Sequence, residues 1–129
     1  MNKAIRHSNI SKEDIEYICA HGTGTPTNDK VECEAMKTVF GERMKNVLVN
    51  SLKSMLGHTM GAASAIEAIS CCLTIKNGVI PPTINYGTPD PECDIDCVPN
   101  KSRQKKVKTL LNNSLAFGGN NACLVLGTI

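Results

Sequence analysis

One stretch of the sequence, NSLKSMLGHTMGAASAIE at residues 50–67, constrains the fold more than any other. Its first residues belong to the run VLVNSL, whose apolar and β-branched residues predict a strand. Its last residues belong to AASAIEAISCCLTIK, which predicts a helix. Because that helix is apolar nearly all round, we expect it to be buried on most of its faces. A strand, a loop with two glycines and a buried helix in succession are typical of an α/β protein.

The same stretch also carries charged and titratable groups. Lys53 and His58 lie on the predicted loop, and Glu67 is the one acid of the apolar helix. A lone buried carboxylate is costly, so we expect Glu67 to be buried and hydrogen-bonded to Lys53. A lysine, a histidine and an acid that converge where a strand ends predict an active site.

The rest of the chain supplies further strands and helices. IEYICAHG predicts a strand, and a helix is expected to begin near Asp29, with Asp29 and Glu32 forming a capping box, and to end at Gly41. The second long helix should end at Gly78, and two strand-like runs around AFGGNN predict a β-hairpin. This order predicts an α/β fold with a mixed, mostly parallel sheet, helices on both faces and a C-terminal hairpin.

Residues 81–106 hold five of the six prolines and show no clear period. They predict a long connection that wraps a surface or belongs to an interface. The basic run KSRQKKVK is interpreted either as a solvated loop or as a landing surface for an acidic partner.

Composition excludes several classes of protein. The length of 129 residues suits one domain, and the net charge of +2 is too small to argue for nucleic acid or an anionic membrane. No signal peptide or membrane span is visible, which favours a cytoplasmic protein, and the seven cysteines are then interpreted as thiols. Cys93 and Cys97 lack a second pair of ligands, so no metal site is predicted.

Loops with glycines follow or join the predicted strands. Because the carboxyl ends of parallel strands gather at one edge of a sheet, His21, Lys53, His58 and Phe117 should meet at one site. Two histidines there could donate hydrogen bonds to an enolate or oxyanion, although a histidine at a strand end is often only structural. The loop GTGTP lacks the lysine of a phosphate-binding loop, which argues against a nucleotide-binding domain.

Four segments, AHGTGTPTND, NSLKSMLGHTMGAASAIE, PPTIN and NNSLAFGGNNA, resemble in order and spacing the signatures of β-ketoacyl-acyl-carrier-protein synthases. The resemblance is to elongating type II fatty-acid synthase enzymes and related polyketide ketosynthases. It covers essentially the whole chain but only the C-terminal part of such an enzyme. It implies that residues 1–129 form one thiolase-like half-domain, and that the N-terminal half with the nucleophilic cysteine is absent.

The resemblance implies an acyltransferase that performs a decarboxylative Claisen condensation. An acyl chain is carried on a cysteine, and malonyl-carrier protein supplies two carbons with loss of carbon dioxide. His21 and His58 resemble the histidine pair that stabilises the enolate and the tetrahedral oxyanion. Lys53 resembles the family's motif lysine, and Glu67 its acidic partner.

The resemblance also implies substrate contacts and partners. Thr23 and Thr25 resemble the threonines that bind the phosphopantetheine arm, and Phe117 resembles the gating phenylalanine whose N–H completes the oxyanion hole. Gly118, the next residue in that turn, is placed with the substrate-binding residues. No cofactor is implied, because the arm arrives on the acyl carrier protein. The implied partners are that carrier protein, an N-terminal ketosynthase half or subunit, and a second copy in a dimer.

Several residues depart from the family pattern. None of the seven cysteines lies in a motif that matches the nucleophile, so none is assigned, and the chain alone is expected to be inactive. Leu115 and Ala116 replace the usual Phe-Gly before the gating phenylalanine, and Cys19 stands where asparagine is common. The alternative reading is a non-catalytic carrier-protein-binding or chain-length-determining subunit, against which the intact His-Lys-His set argues.

The resemblance carries an expectation about the sheet. A half-domain with sheet order 3-2-1-4-5 that begins at its first helix would lack its central strand. Unpaired backbone groups on two inner edges would then make a lone monomer unstable. Another polypeptide would supply the strand, or the two remaining parts of the sheet would pair directly or dimerise.

Overall fold

The computed structural model describes residues 1–128. The helices are α1 (Asn2–His7), α2 (Pro26–Phe40), α3 (Lys53–Leu56) and α4 (Ala63–Asn77). The strands are β1 (Tyr17–Cys19), β2 (Leu48–Asn50), β3 (Val79–Ile80), β4 (Arg103–Gln104), β5 (Thr109–Ser114) and β6 (Ala122–Gly127). Short 3₁₀ turns lie between them at Lys12–Asp14, Gly41–Asn46, Met60–Ala62, Pro91–Cys93 and Phe117–Gly119.

The main sheet has the order β2-β1-β5-β6. Strands β2, β1 and β5 are parallel, and β6 runs antiparallel to β5 as the second strand of the predicted hairpin. A separate antiparallel ribbon joins β3, just before the segment predicted as one long connection, to β4 inside that segment. The predicted mixed, mostly parallel sheet is therefore confirmed.

Alternate residues of each strand enter two cores, one on each face of the sheet. Ile18, Val49 and Leu111 pack with α1 and α2 on one face. Tyr17 and Leu110 pack with α4 on the other. Because successive side chains of a strand point to opposite faces, short strands of apolar residues can support both helical layers. The predicted covering of both faces by helices is confirmed.

The two parts of the sheet that were expected to flank a missing central strand are joined directly. Strand β1 pairs directly with β5 in the register Tyr17↔Leu110 and Ile18↔Leu111, and all four of these residues are fully buried. The direct pairing of the two parts, which was the alternative outcome, is the one observed. The unpaired inner edges that were expected to destabilise a monomer do not exist among the described residues, so that reason for instability disappears.

Three local expectations about the helices are also corrected. Helix α4 buries only the face formed by Ala63, Glu67, Cys71 and Thr74, whereas Ile69 and Leu73 on its outer face are 62% and 51% exposed. Helix α2 begins at Pro26 rather than near Asp29, because proline suits the first position of a helix. There is no capping box there, and the Asp29 carboxylate instead accepts from the Gly24 N–H at 3.2 Å.

Other local expectations are met. Gly78 ends α4 in the left-handed conformation (φ 65°, ψ 33°). Gly41 has a positive φ of 57° where α2 ends, although its ψ of −136° is not that of a left-handed helical cap. A bilayer-spanning helix needs about 20 apolar residues, and the helices described here include none that could cross a membrane.

Candidate active site

Three parallel strands end at one edge of the main sheet, and the candidate residues follow them. His21 comes after β1, Lys53 comes after β2 at the start of α3, and the Phe117 turn comes after β5. His58 follows α3, so this edge gathers residues from separate parts of the sequence. Such an edge is where open α/β sheets place their ligands.

The structure confirms the predicted pairing of Lys53 with Glu67. The Nζ of Lys53 donates to Oε1 of Glu67, and the two residues are 9% and 2% exposed. Burial raises the pKa of Glu67, and the bond and charge of Lys53 oppose that rise. The second carboxylate oxygen of Glu67 has no hydrogen-bond partner within residues 1–128. The pair therefore fixes a lysine behind the sheet edge, where its charge can act on neighbouring groups.

The structure also brings His21 and His58 together. Their ring centroids are 5.5 Å apart, and the rings meet edge to face at 81°. Burial lowers the pKa of His21, and the neighbouring Lys53 ammonium and His58 ring lower it further. His21 is only 8% exposed, so it is held neutral and can act as a hydrogen-bond donor or acceptor without carrying charge.

His58 is exposed, and its ring orientation depends on one local bond. Its Nδ1 accepts the backbone N–H of Met60 at 3.1 Å. A neutral imidazole whose Nδ1 accepts must carry its proton on Nε2. Met60 adopts a positive φ of 51°, which is uncommon for a methionine and which places its N–H on the ring. This arrangement leaves the Nε2–H of His58 free to donate to a substrate oxygen.

Glu32 holds the His21 loop, a role that the sequence analysis missed. Its carboxylate accepts the N–H groups of His21 and Gly22, each at 2.9 Å, and the side-chain amide of Asn113 on β5 at 3.2 Å. Glu32 is 3% exposed. Its spacing of four and eight residues from the buried Met36 and Phe40 places it on the inner face of α2, and that periodicity could have identified it.

Gly22 fits where no larger residue could. A Cβ atom there would lie 2.5 Å from the Cβ of Ser51, and the backbone has a positive φ of 43°. The Ser51 hydroxyl donates to the Gly22 carbonyl at 2.6 Å, which ties this loop to the end of β2. Close packing of the two loops therefore supports the position of His21.

Thr23 and Thr25 lie on the same loop, with their hydroxyl oxygens 2.9 Å apart. They line a groove of about 510 Å³ between α2 and the segment around residues 83–97, and Lys53 lies on its wall. His21 and His58, both among the described residues, do not line this groove. The structure therefore places the threonines near the lysine but not in one cavity with the two histidines.

Phe117 and Gly118 lie on the turn between β5 and β6. The Phe117 side chain is fully exposed, and Gly118 has a positive φ of 74°, as expected for a glycine of this hairpin. The two histidine rings lie together, but the pocket predicted to include them and the Phe117 backbone stays a prediction. The role of Phe117 in gating stays a prediction.

The cysteines stand apart from the histidine pair. All seven are free thiols, and Cys19 and Cys71 are buried with Tyr17 in the core beneath α4. Within residues 1–128, no three side chains among His, Cys, Asp and Glu gather closely enough to bind a metal ion.

The chain is similar in sequence to known proteins. The family described as "Beta-ketoacyl synthase, C-terminal domain" matches residues 1–87. Nodulation protein E of Rhizobium sp. (strain N33) is 47% identical over 124 residues, which cover 96% of this chain and 31% of that protein. The 3-oxoacyl-[acyl-carrier-protein] synthase 2 of Staphylococcus aureus is 48% identical over 125 residues, which cover 97% of this chain and 31% of that protein. The chain thus spans about a third of the length of these relatives.

Solved structures show the same likeness. The ishigamide ketosynthase/chain length factor has a TM-score of 0.95 at 48% identity, covering 99% of this chain and 31% of that chain. AntDE:AntF, a type II PKS acyl-carrier protein in complex with its ketosynthase, has a TM-score of 0.97 at 42% identity, with the same coverage. These likenesses confirm the predicted thiolase-like α/β fold.

Proposed function

Because the chain belongs to the β-ketoacyl synthase family, with its C-terminal domain matched here, we propose that it is the C-terminal part of an enzyme that condenses acyl groups with malonyl-acyl carrier protein. The observation that carries this proposal is the His21–His58 pair, 5.5 Å between ring centroids, with the buried Lys53–Glu67 ion pair behind it. Residues 1–129 would act as one C-terminal domain.

The proposed reaction starts from an acyl chain bound as a thioester to a cysteine in the N-terminal half. The malonyl group loses carbon dioxide, and the electron pair of the broken carbon–carbon bond forms an enolate at the thioester. That enolate carbon attacks the acyl carbonyl, and the cysteine thiolate leaves. Negative charge develops on a thioester oxygen in each step, so preorganised N–H donors lower the barrier.

His21 and His58 fit the role of those donors. The Nδ1 bond from Met60 leaves the Nε2–H of His58 available, and the lowered pKa of His21 keeps that ring neutral. The Lys53 charge contributes to the neutrality of His21, and Glu67 compensates the burial of the lysine. In this scheme the histidines contact the substrate, whereas Lys53, paired with Glu67, helps to keep His21 neutral.

The remaining predicted residues have positioning roles in the proposal. Thr23 and Thr25 would bind the phosphopantetheine arm, and the groove that they line is the feature that supports this. Phe117 would gate the entrance, and its N–H would add an oxyanion donor beside Gly118. The full exposure of Phe117 suits a residue that another surface covers in the complete enzyme.

The outer face of α4 supports an N-terminal partner half. Ile69, Leu73 and Cys72 are exposed on a 15-residue helix whose inner face lies on the sheet. Exposed apolar surface of this kind marks an interaction site, and we propose that the half carrying the nucleophilic cysteine packs there. The acyl carrier protein is the second proposed partner, because one similar structure is a ketosynthase in complex with its acyl-carrier protein. A dimer of the complete enzyme is the third.

The test combines the chain with an N-terminal ketosynthase half, either co-expressed or fused in place of the matching third of the S. aureus synthase. Condensation with malonyl-carrier protein is then measured. Removal of one oxyanion donor should lower the rate by about 10²–10³-fold, so His21→Ala and His58→Ala should each lose activity on this scale. His7 is an exposed histidine on α1, so His7→Ala is the matched control and should keep the rate. Unchanged rates in both site variants would show that the assigned roles are wrong.

A second candidate is a non-catalytic, chain-length-determining subunit. Solved structures similar to this chain include three of a ketosynthase with a chain length factor. The same experiment separates the two functions. A subunit of this kind would bind its partner and alter product length, and neither histidine substitution would change the condensation rate.

A further inference from the structure

Helix α2 and the turn Pro91–Cys93 contact each other at two points. The Nζ of Lys30 forms an ion pair with the carboxylate of Glu92. One helical turn further along α2 lies Cys33, and Cys93, the residue after Glu92, packs against the core cluster to which Cys33 belongs. Glu92 and Cys93, adjacent in the turn, thus lie beside residues 30 and 33, which are three apart on one face of α2. These contacts fix the alignment of the two segments.

The two thiols differ in access to solvent. Cys33 is 5% exposed in the core with Met36 and Phe40, and Cys93 packs against that core from the outside while remaining only partly buried. Both line the wall of the groove that holds Thr23 and Thr25. A small reagent can therefore reach Cys93 from the groove, with Cys33 directly behind it.

The other thiols offer no equivalent pair. Cys97 lines the same groove but does not pack against the core that holds Cys33, and Cys123 packs against that core but does not line the groove. Cys72 is exposed on α4, and Cys19 and Cys71 are both fully buried. Among the seven cysteines, only Cys33 and Cys93 belong both to this core and to the lining of the groove.

We propose that Cys33 and Cys93 form a reversible disulfide that fastens residues 90–96 to α2 when the protein meets a low-molecular-weight disulfide such as oxidised glutathione. The Cys93 thiolate attacks one sulfur of the glutathione disulfide and releases one glutathione thiolate. The Cys33 thiolate then attacks the Cys93 sulfur and releases the second. Two protein thiols are oxidised, one glutathione disulfide is reduced, and the two protons leave with the glutathione thiols.

The surroundings set the rate of this exchange. Burial raises the pKa of Cys93, and it raises the pKa of Cys33 to about 12, so both are mostly thiols at neutral pH. The reaction is therefore slow near pH 7 and faster at higher pH. Cys93 reacts first because it is the more exposed of the two.

The disulfide would act on the helix that supports His21. Cys33 follows Glu32, whose carboxylate holds the N–H groups of His21 and Gly22. A cross-link that closes a loop of about 60 residues reduces the freedom of the unfolded chain, so the oxidised protein should melt at a higher temperature. The proposal concerns only this modification and does not depend on the proposed reaction.

The test treats the folded chain with oxidised glutathione between pH 7 and 9, followed by peptide mass spectrometry without reduction. We expect a peptide linked through Cys33 and Cys93, formed faster at pH 9, together with a rise in melting temperature that a reductant reverses. Cys33→Ala and Cys33→Ser should each stop at a Cys93–glutathione mixed disulfide. Cys97→Ala is the matched control from the same groove and should cross-link like the unchanged chain.

Three results would overturn the proposal. One is a Cys93 link to Cys97 instead of Cys33. Another is a mixed disulfide that persists on Cys93 of the unchanged chain. The third is oxidation at Cys72 while Cys93 stays reduced. All three results are measured on the unchanged chain, so poor folding of a variant does not affect them.

Discussion

The buried half and the exposed half of the candidate site are held by different kinds of contact. His21, Lys53 and Glu67 are each at most 9% exposed, and side chains from other elements hold them. His58 and Phe117 are exposed and lie in local turns. Within residues 1–128, the His58 ring makes a single hydrogen bond, accepted from the N–H of Met60 two positions away.

This difference separates two tasks within one site. The buried half sets charge and protonation, because burial strengthens electrostatic effects and prevents the groups from relaxing. The exposed half has few long-range contacts, so it can shift at little cost in free energy or be fixed by a partner surface. Substitutions in the buried half should therefore change stability, and those in the exposed half should change only function.

The largest expected effect comes from breaking the buried ion pair. Glu67→Ala leaves the Lys53 ammonium buried without a partner and should lower the free energy of unfolding by about 3–5 kcal/mol in urea denaturation. The double substitution Lys53→Met and Glu67→Leu should recover most of this loss, because apolar groups of similar volume need no partner. A loss below about 1 kcal/mol in Glu67→Ala would show that water reaches the lysine and that this half is not truly buried.

The next effect concerns the carboxylate that holds the His21 loop. Glu32→Ala leaves two backbone N–H groups and the Asn113 amide without their acceptor, so we expect a loss of about 3 kcal/mol in the same measurement. Glu34→Ala, two residues along α2 and exposed, is the control and should stay within about 0.5 kcal/mol of the unchanged chain. If Glu34→Ala lost as much stability as Glu32→Ala, the Glu32 carboxylate would not be what holds the His21 loop.

A smaller effect should appear in the pH dependence of stability. The pKa of His21 is lowered below its ordinary value of 6.5 by burial and by Lys53 and His58. Just below that value the unfolded chain binds more protons than the folded one, so stability falls as the pH falls through this window. His21→Asn should remove that part of the fall, measured as the difference between unfolding curves at pH 7 and pH 5. If His21→Asn and the unchanged chain lost the same stability between pH 7 and pH 5, His21 would titrate as a solvated residue.

The smallest effect is expected at the exposed turn. Phe117→Ala removes a side chain that is fully exposed, so the free energy of unfolding should change by less than about 0.5 kcal/mol. The same variant should still slow condensation when the chain is combined with an N-terminal half, if the gating role is right. A marked loss of stability would show that Phe117 belongs to the buried half of the site.

The sequence was most informative where local chemistry leaves few choices. Glu67 is the single acid of an apolar helix, so its need for Lys53 could be predicted, and positive φ at Gly78 follows from its place after the last helical turn. Exposure of the outer face of α4 could not be predicted, because apolar composition does not say whether the chain itself covers that face.

Two further features lay beyond local patterns. The spacing of Glu32 from Asp29 predicts a helix cap, whereas its phase relative to Met36 and Phe40 places it on the buried face of α2. The pairing of β1 with β5 joins segments far apart in sequence, and neither segment contains a signal for its neighbour. The sequence therefore leaves open whether another polypeptide completes the sheet or its two parts pair directly, and the structure shows direct pairing.

The direct pairing of β1 with β5 also bears on how the protein is made. During synthesis β1 can pair early with β2, but its other edge must wait until β5 has left the ribosome. Until then a buried strand presents free backbone groups and apolar side chains to solvent, which is the condition that attracts chaperones. Because closing so long a loop is entropically costly, docking of the C-terminal hairpin should be the slow step of folding. A chain shortened before residue 109 should then accumulate as an aggregation-prone intermediate.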